Sequence, residues 1–173
     1  GSKGQLGLNT GNPQVQISSP IQVGSDTDWS GYPKIDHHMA NMNKSDGSLW
    51  TMGRNQFGGL GLNDTVWRSS PTQIGTDTDW ATGLRERMVT KDGRMQASIK
   101  TDGTLWVWGT NYYGTLGQNA PDNQNRSSPV QIPGTTWANI DTAYDLCIAT
   151  KTDGTLWTWG RNNDGALGHN KPS

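Results

Sequence analysis

The chain has 173 residues, a formal net charge of -1 and only 31% hydrophobic residues, and nine Trp stand against a single Phe. Interspersed charges of both signs leave no broad basic face for phosphate backbones or anionic membranes. No stretch approaches the ~20 apolar residues of a membrane-spanning helix, and His and Cys are too few, with 3 and 1, to support a Ser-His-Asp or Cys-His constellation.

With aliphatics scarce, the indoles must supply much of the buried area, at roughly 150–250 Å² per aromatic. The 23 Gly and 8 Pro, spread without a collagen-like period, indicate short extended segments joined by tight turns, an all-β signature. Internal repetition organises those segments. The stretches SDGSLWTMGRNQFGGLGLN, TDGTLWVWGTNYYGTLGQN and TDGTLWTWGRNNDGALGHN begin at Ser45, Thr101 and Thr152, spaced by 56 and 51 residues.

In chain order, SKGQLGLN (2–9) matches the end of this motif without the strand that should precede it, so residues 1–9 read as the tail of a preceding repeat. Together with the missing initiator Met, this indicates an excerpt or processed piece of a longer polypeptide; for Gly1-Ser2 alone a cloning scar explains as much.

The first full copy spans about 10–63. Ser-Ser-Pro ends at Pro20, and an apolar β-type segment leads to Trp29. Asp26-Thr27-Asp28, just before Trp29, offers hard oxygens of the kind that hold Ca²⁺, although turn capping is the simpler role. His37 and His38 are adjacent, so in a strand they point to opposite faces and do not chelate one ion together. Asp46-Gly47 is a hairpin signal, because Gly takes positive φ without steric penalty. A strand from Leu49 through Trp50 follows, and then Gly-x-Asn-x-x-Gly-x-Leu-Gly, in which the glycines permit chain reversal, Asn55 bonds nearby backbone and Leu60 anchors the loop from beneath. The Gly58–Gly61 stretch lacks the following helix and Lys of a phosphate cradle.

The second copy, about 64–119, opens with NDTVWRSSP. Trp67 falls outside the repeat pattern and, beside Arg68, is the candidate contact residue. Asp77-Thr78-Asp79 precedes Trp80, and extra residues around LRERMVTKDG predict a longer rim loop carrying Arg85 and Arg87, where repeat proteins place recognition. In Leu105-Trp106-Val107-Trp108 odd and even positions are both apolar, so both faces of that strand must be covered, as in a stack of sheets. Asn111 and Leu116 repeat the loop pattern.

The third copy, about 120–170, has Gly134-Thr135-Thr136 where the others carry Asp-Thr-Asp, so a cation role is not built into the repeat. Trp137, Trp157, Trp159, Asn162 and Leu167 hold the expected positions. Cys147, in the apolar run YDLCIAT, has no partner for an internal disulfide and reads as buried and inert. His169 sits where other copies have Leu8, Leu62 or Gln118, a tolerant surface position.

DGxLW followed by WGxNxxGxLG, with SSPxQI between copies, resembles the regulator of chromosome condensation repeat family over essentially the whole chain. The resemblance implies a β-propeller, commonly of seven four-stranded blades, so residues 1–173 are expected to form one segment of about three such blades. Propellers typically need 4–8 blades to close without exposed edges, so further repeats or another chain should complete the ring. The family's usual His before the Asp-Gly turn is absent or displaced in all three copies. One plant branch of the family senses ultraviolet light through clustered tryptophans, yet Trp50, Trp106, Trp108, Trp157 and Trp159 recur with the periodicity that packing demands and read as core.

Segments as close as KTDGTLWTWGRN look like family versions in bacteriophage virion proteins of tail or fibre type and in bacterial surface proteins. The expected function is therefore a non-catalytic structural or adhesive module at a virion or cell surface. It would contact other proteins of an assembly, a host receptor or a glycan through rim loops, with no cofactor, metal, nucleic acid or membrane insertion. The alternative implied by the family is a nucleotide-exchange factor for a small GTPase with chromatin contact, which the near-zero charge, the missing basic tail and the lost His stretch disfavour.

Overall fold

The structure is a computed structural model in which residues 6–8, 17–35, 38–82, 87–89, 95–143 and 145–169 are described. Its repeating seed is the hairpin at each Asp-Gly. Gly47 N donates to Lys44 O at 3.0 Å and Lys44 N to Ser48 O at 3.1 Å. Gly47 takes φ +83°, so the loop has three residues with its glycine left-handed, not the two-residue turn that Asp-Gly most often makes. The same bonds recur at Lys100–Thr104 and Lys151–Thr155.

Around these hairpins the strands run β1 (Trp29–Ile35), β2 (Met39–Lys44), β3 (Leu49–Gly53), β4 (Arg68–Gln73), β5 (Arg87–Val89), β6 (Met95–Ile99), β7 (Leu105–Gly109), β8 (Arg126–Ile132), β9 (Trp137–Ala143), β10 (Leu146–Lys151) and β11 (Leu156–Gly160). They form antiparallel sheets in the orders β1-β2-β3-β4, β5-β6-β7-β8 and β11-β10-β9. Two sheets thus have the expected four strands and the third has three among the described residues. The second and third Ser-Ser-Pro triplets lie in β4 and β8, each the last strand of the sheet begun before it, whereas the first, ending at Pro20, lies outside the strands. The sequence segments ending at 63 and 119 therefore cut each sheet between its third and fourth strands.

The first strands touch one another, β1 against β5 and β5 against β9, which puts them along the axis and leaves β4 and β8 outermost. This is a partial β-propeller. Between the second and third sheets, Met95, Leu105, Val107, Ile132, Trp137 and Ile140 form one apolar seam. Between the first and second, Leu49, Ile74, Trp80 and Trp108 form another. A polar tie crosses the latter pair, with Asn41 Nδ2 donating to Gln96 Oε1 at 2.5 Å.

In β7 Leu105 and Val107 are 0% exposed and Trp108 1% exposed, the two-faced coverage that its apolar run requires. The equivalent β11 has Leu156 at 63% and Trp157 at 48% exposure, because no described sheet packs beyond it. Burial is a property of the stack, and one sheet cannot seal its own indoles. Cys147 is free and buried, its Sγ lying 3.3 Å from Thr115 O. Burial, with a smaller contribution from the Asp141 charge, pushes its thiol pKa well above the ordinary range, leaving no reactive thiolate.

Candidate functional site

The Gly-x-Asn-x-x-Gly-x-Leu-Gly loops are both the internal joints of the molecule and the base of its rim. Asn55 Oδ1 accepts from Leu60 N at 2.9 Å, Asn111 Oδ1 from Leu116 N at 3.0 Å and Asn162 Oδ1 from Leu167 N at 3.0 Å. Leu60 and Leu116 are buried, and Leu167, on the uncovered last sheet, is partly so. The first two loops each receive an indole from the next sheet. Trp108 Nε1 donates to Gly59 O at 2.9 Å and Trp159 Nε1 to Thr115 O at 2.8 Å. Gly61 is obligatory for this approach, since a β-carbon there would lie 2.9 Å from Trp108 Nε1. Sheet 1 carries Met52 in place of this Trp, set against Gly7 of the N-terminal tail segment.

The carboxylates before Trp29 and Trp80 bind a cation supplied by the chain. Lys44 Nζ lies 2.7 Å from Asp26 and 3.2 Å from Asp28, over the rings of Trp29 and Trp50 at 5.0 and 4.6 Å. Lys100 repeats this, 2.6 Å from Asp77 and 2.9 Å from Asp79, over Trp80 and Trp106 at 4.9 and 5.0 Å. The Asp26 hydrogen bond is the main cause that raises the Lys44 pKa. For Lys100 burial pulls downward, but the Asp77 and Asp79 bonds outweigh it and the pKa is raised. No group of three or more metal-ligating side chains occurs among the described residues.

Beside each cage runs a second relay. Asp46 Oδ1 accepts from Ser48 N and Oγ at 2.9 and 2.6 Å, and Ser48 Oγ accepts from Trp50 Nε1 at 2.8 Å. Asp102–Thr104–Trp106 and Asp153–Thr155–Trp157 repeat it. The hydroxyl donation, reinforced by the backbone N–H, holds all three Asp pKa values below the usual carboxylate range.

Beyond these ties, the rim loop that follows Leu60 holds the contact candidate Trp67. Asn55 Nδ2 donates to Asp64 O and Oδ1, both at 2.9 Å. Asp64 also accepts from Val66 N at 2.9 Å and from Arg68 Nη2 at 2.5 Å, while Arg68 Nη1 donates to Val66 O at 2.7 Å. Burial raises the Asp64 pKa, but the Val66 and Arg68 donors more than offset this and hold it low. Arg68 is therefore a clamp that fixes the loop, and what the loop presents is Val66 at 61% and Trp67 at 44% exposure.

Arg85, and the side chain of Arg87 in β5, lie outside the described residues. Trp50, Trp106 and Trp159 are partly buried, and Trp108 fully. Trp157, expected in the core, is instead half exposed on the uncovered face of β11. Sequence reading overlooked the lysines, although Lys44, Lys100 and Lys151 each stand two residues before Asp-Gly. It also overlooked Asp64, whose role depends on a loop closure that no local pattern announces.

A family model for the regulator of chromosome condensation (RCC1) repeat matches residues 46–91, 102–143 and 153–173. The human E3 ubiquitin-protein ligase HERC2 is 29% identical over 71% of this chain and 2% of its own length. The Danio rerio protein RCC2 homolog is 30% identical over 73% of this chain and 25% of its length. The chain thus spans a quarter or less of these relatives. The crystal structure of human WBSCR16 superimposes with a TM-score of 0.72 at 20% identity, covering 92% of this chain and 40% of that one. Prp20p from Saccharomyces cerevisiae, a structure described with its binding properties to Gsp1p and histones, gives 0.66 at 16% identity, covering 99% and 42%. At such identities the structures show the fold alone.

Proposed function

The chain belongs to the regulator of chromosome condensation repeat family, and we propose that this stretch of it is a non-catalytic protein-binding module that engages a partner through the rim loop bearing Val66 and Trp67. The observation that carries this reading is the contrast within one loop. Asn55, Asp64 and Arg68 spend their hydrogen bonds on fixing the backbone, and the two apolar side chains they fix are held out to solvent. A preorganised exposed Trp has the character of an interface anchor, since little rotamer freedom remains to be lost on binding.

For the setting of that contact, a virion or bacterial surface assembly is supported by the polar, weakly charged composition, with net charge -1. A GTPase-regulating and chromatin-contacting role is supported by the likeness to Prp20p, whose structure is described with Gsp1p and histone binding. A photo-crosslinker at position 67, introduced in the source cells, separates these settings. Adducts to particle or envelope proteins favour the first; a GTPase adduct together with accelerated nucleotide release favours the second. No adduct from position 67, with robust adducts from the opposite rim, overturns the loop assignment.

A further inference from the structure

The third copy lacks both carboxylates of the lysine cage, and the difference leaves its lysine without the counter-ions that the other two copies supply. Lys151 occupies the same indole pair as Lys44 and Lys100, its Nζ 4.7 Å from the Trp137 ring and 4.4 Å from the Trp157 ring. Counting back from the Trp, Gly134 and Thr136 stand where the second copy has Asp77 and Asp79. The backbone confirms the alignment, since Thr152 N donates to Thr136 O and Thr101 N to Asp79 O, both at 2.8 Å. The lysine is kept and both of its carboxylates are gone. Asp153 does not replace the lost pair: its Oδ1 is taken by Thr155, and its charge acts on Lys151 only as Asp46 and Asp102 already act on Lys44 and Lys100 in the copies that keep their carboxylates.

A second donor converges on the same place. Trp137 is 5% exposed, yet its Nε1 has no hydrogen-bond partner; Trp80 Nε1 is equally unpaired in the second copy, but only in the third does the neighbouring lysine also lack its carboxylates. A β-carbon placed on Gly134 would lie 3.6 Å from Lys151 Nζ and 3.8 Å from Trp137 Nε1. A partly desolvated ammonium and an unpaired buried N–H facing one open spot favour an incoming anion, which would gain charge-assisted hydrogen bonds. The Trp157 ring, 4.4 Å from Lys151 Nζ, forms one wall.

We propose that the niche of Lys151, Trp137 and Trp157 binds an acidic side chain of a partner protein, which supplies in trans the carboxylate that Asp77 and Asp79 supply in cis. A carboxylate is the ligand chemistry that the molecule itself uses twice in this frame, two residues apart on an extended segment. The occupant is therefore an Asp-x-Asp-like stretch of the partner. The inference rests on the chain being a binding module, and it names the partner's chemistry at a place separate from the 66–67 loop.

The test is titration of the full chain with acetyl-Asp-Thr-Asp-amide, followed by the indole N–H resonances. Saturable movement of the Trp137 and Trp157 signals, with Trp29 and Trp80 still, is the expected result. Lys151→Gln should weaken it by at least about tenfold, the equivalent of one charge-assisted bond. Thr136→Asp, which restores an internal carboxylate at a residue whose φ of +81° suits Asp better than Thr, should abolish it in a folded protein. This second variant decides the matter if Lys151→Gln does not fold. An undiminished shift in Thr136→Asp, or no saturable shift in the parent chain, overturns the proposal. Tighter binding of inorganic phosphate than of the peptide also overturns it, in favour of a phosphoryl ligand. Loss of crosslinking from position 67 with peptide binding intact would remove the rim-loop reading and leave this one standing.

Discussion

Replacing Trp108 by Phe tests how one sheet is sealed against the next. The indole is 1% exposed, meets Trp80 edge-on at 6.1 Å and donates to Gly59 O at 2.9 Å. Phe retains most of the ring but leaves a buried carbonyl without its donor, worth about 1–3 kcal/mol, and gives up roughly 1 kcal/mol of buried ring atoms. The sum, about 2–4 kcal/mol, corresponds to a fall in Tm of roughly 6–12 °C for a chain of this size. Trp67→Phe is the control: at 44% exposure it should change stability by no more than about 0.5 kcal/mol. Urea unfolding followed by far-UV circular dichroism gives both numbers. Equal losses in the two variants would refute the idea that the Trp108 N–H joins the sheets.

Three further outcomes follow from the same geometry. Gly61 and Gly168 have similar positive φ, +72° and +68°, but a β-carbon meets Trp108 Nε1 at 2.9 Å in the first and nothing within 4 Å in the second. Thermal melts should therefore give Gly168→Ala the left-handed backbone cost alone, about 1–2 kcal/mol, and Gly61→Ala clearly more. Asp46, Asp102 and Asp153 have pKa values below the usual range, so their stabilisation is present above the unfolded value of about 3.9 and is lost as pH falls through their folded values. Carboxyl NMR titration should show Thr104→Val moving Asp102 upward and leaving Asp46 in place. Cys147, buried with a raised thiol pKa, should resist iodoacetamide at neutral pH until denaturant is added; rapid labelling of the native chain would contradict that packing.

The fold was legible where one residue type forces one geometry. Asp-Gly demanded a hairpin, and Leu105-Trp106-Val107-Trp108, apolar at every position, demanded cover on two faces. What escaped reading depended on partners distant in sequence. Ser-Ser-Pro looks like the start of a unit, yet Thr51 pairs with Thr72 and Gly53 with Arg68, so it ends the sheet before. Trp157 shares its repeat position with Trp106, but repetition fixes where a side chain points and not whether another sheet stands there. Asp26-Thr27-Asp28 read most simply as a turn cap; its carboxylates instead hold Lys44, whose fixed place two residues before Asp-Gly was visible but carries no meaning until the hairpin folds it over the indoles. Arg68 read only as the neighbour of Trp67 in the contact loop, since loop closure alone reveals Asp64 as its partner.

The most direct measurement is hydrogen–deuterium exchange of the individual indole N–H groups. If the sheets stack as one propeller segment with each seam closed by an indole under the preceding loop, the Trp108 and Trp159 N–H groups, bonded to Gly59 and Thr115, exchange far more slowly than the N–H of a free indole in the same buffer. Both exchanging at the free-indole rate would mean that the sheets do not pack on one another, and the platform for both proposed contacts would be gone.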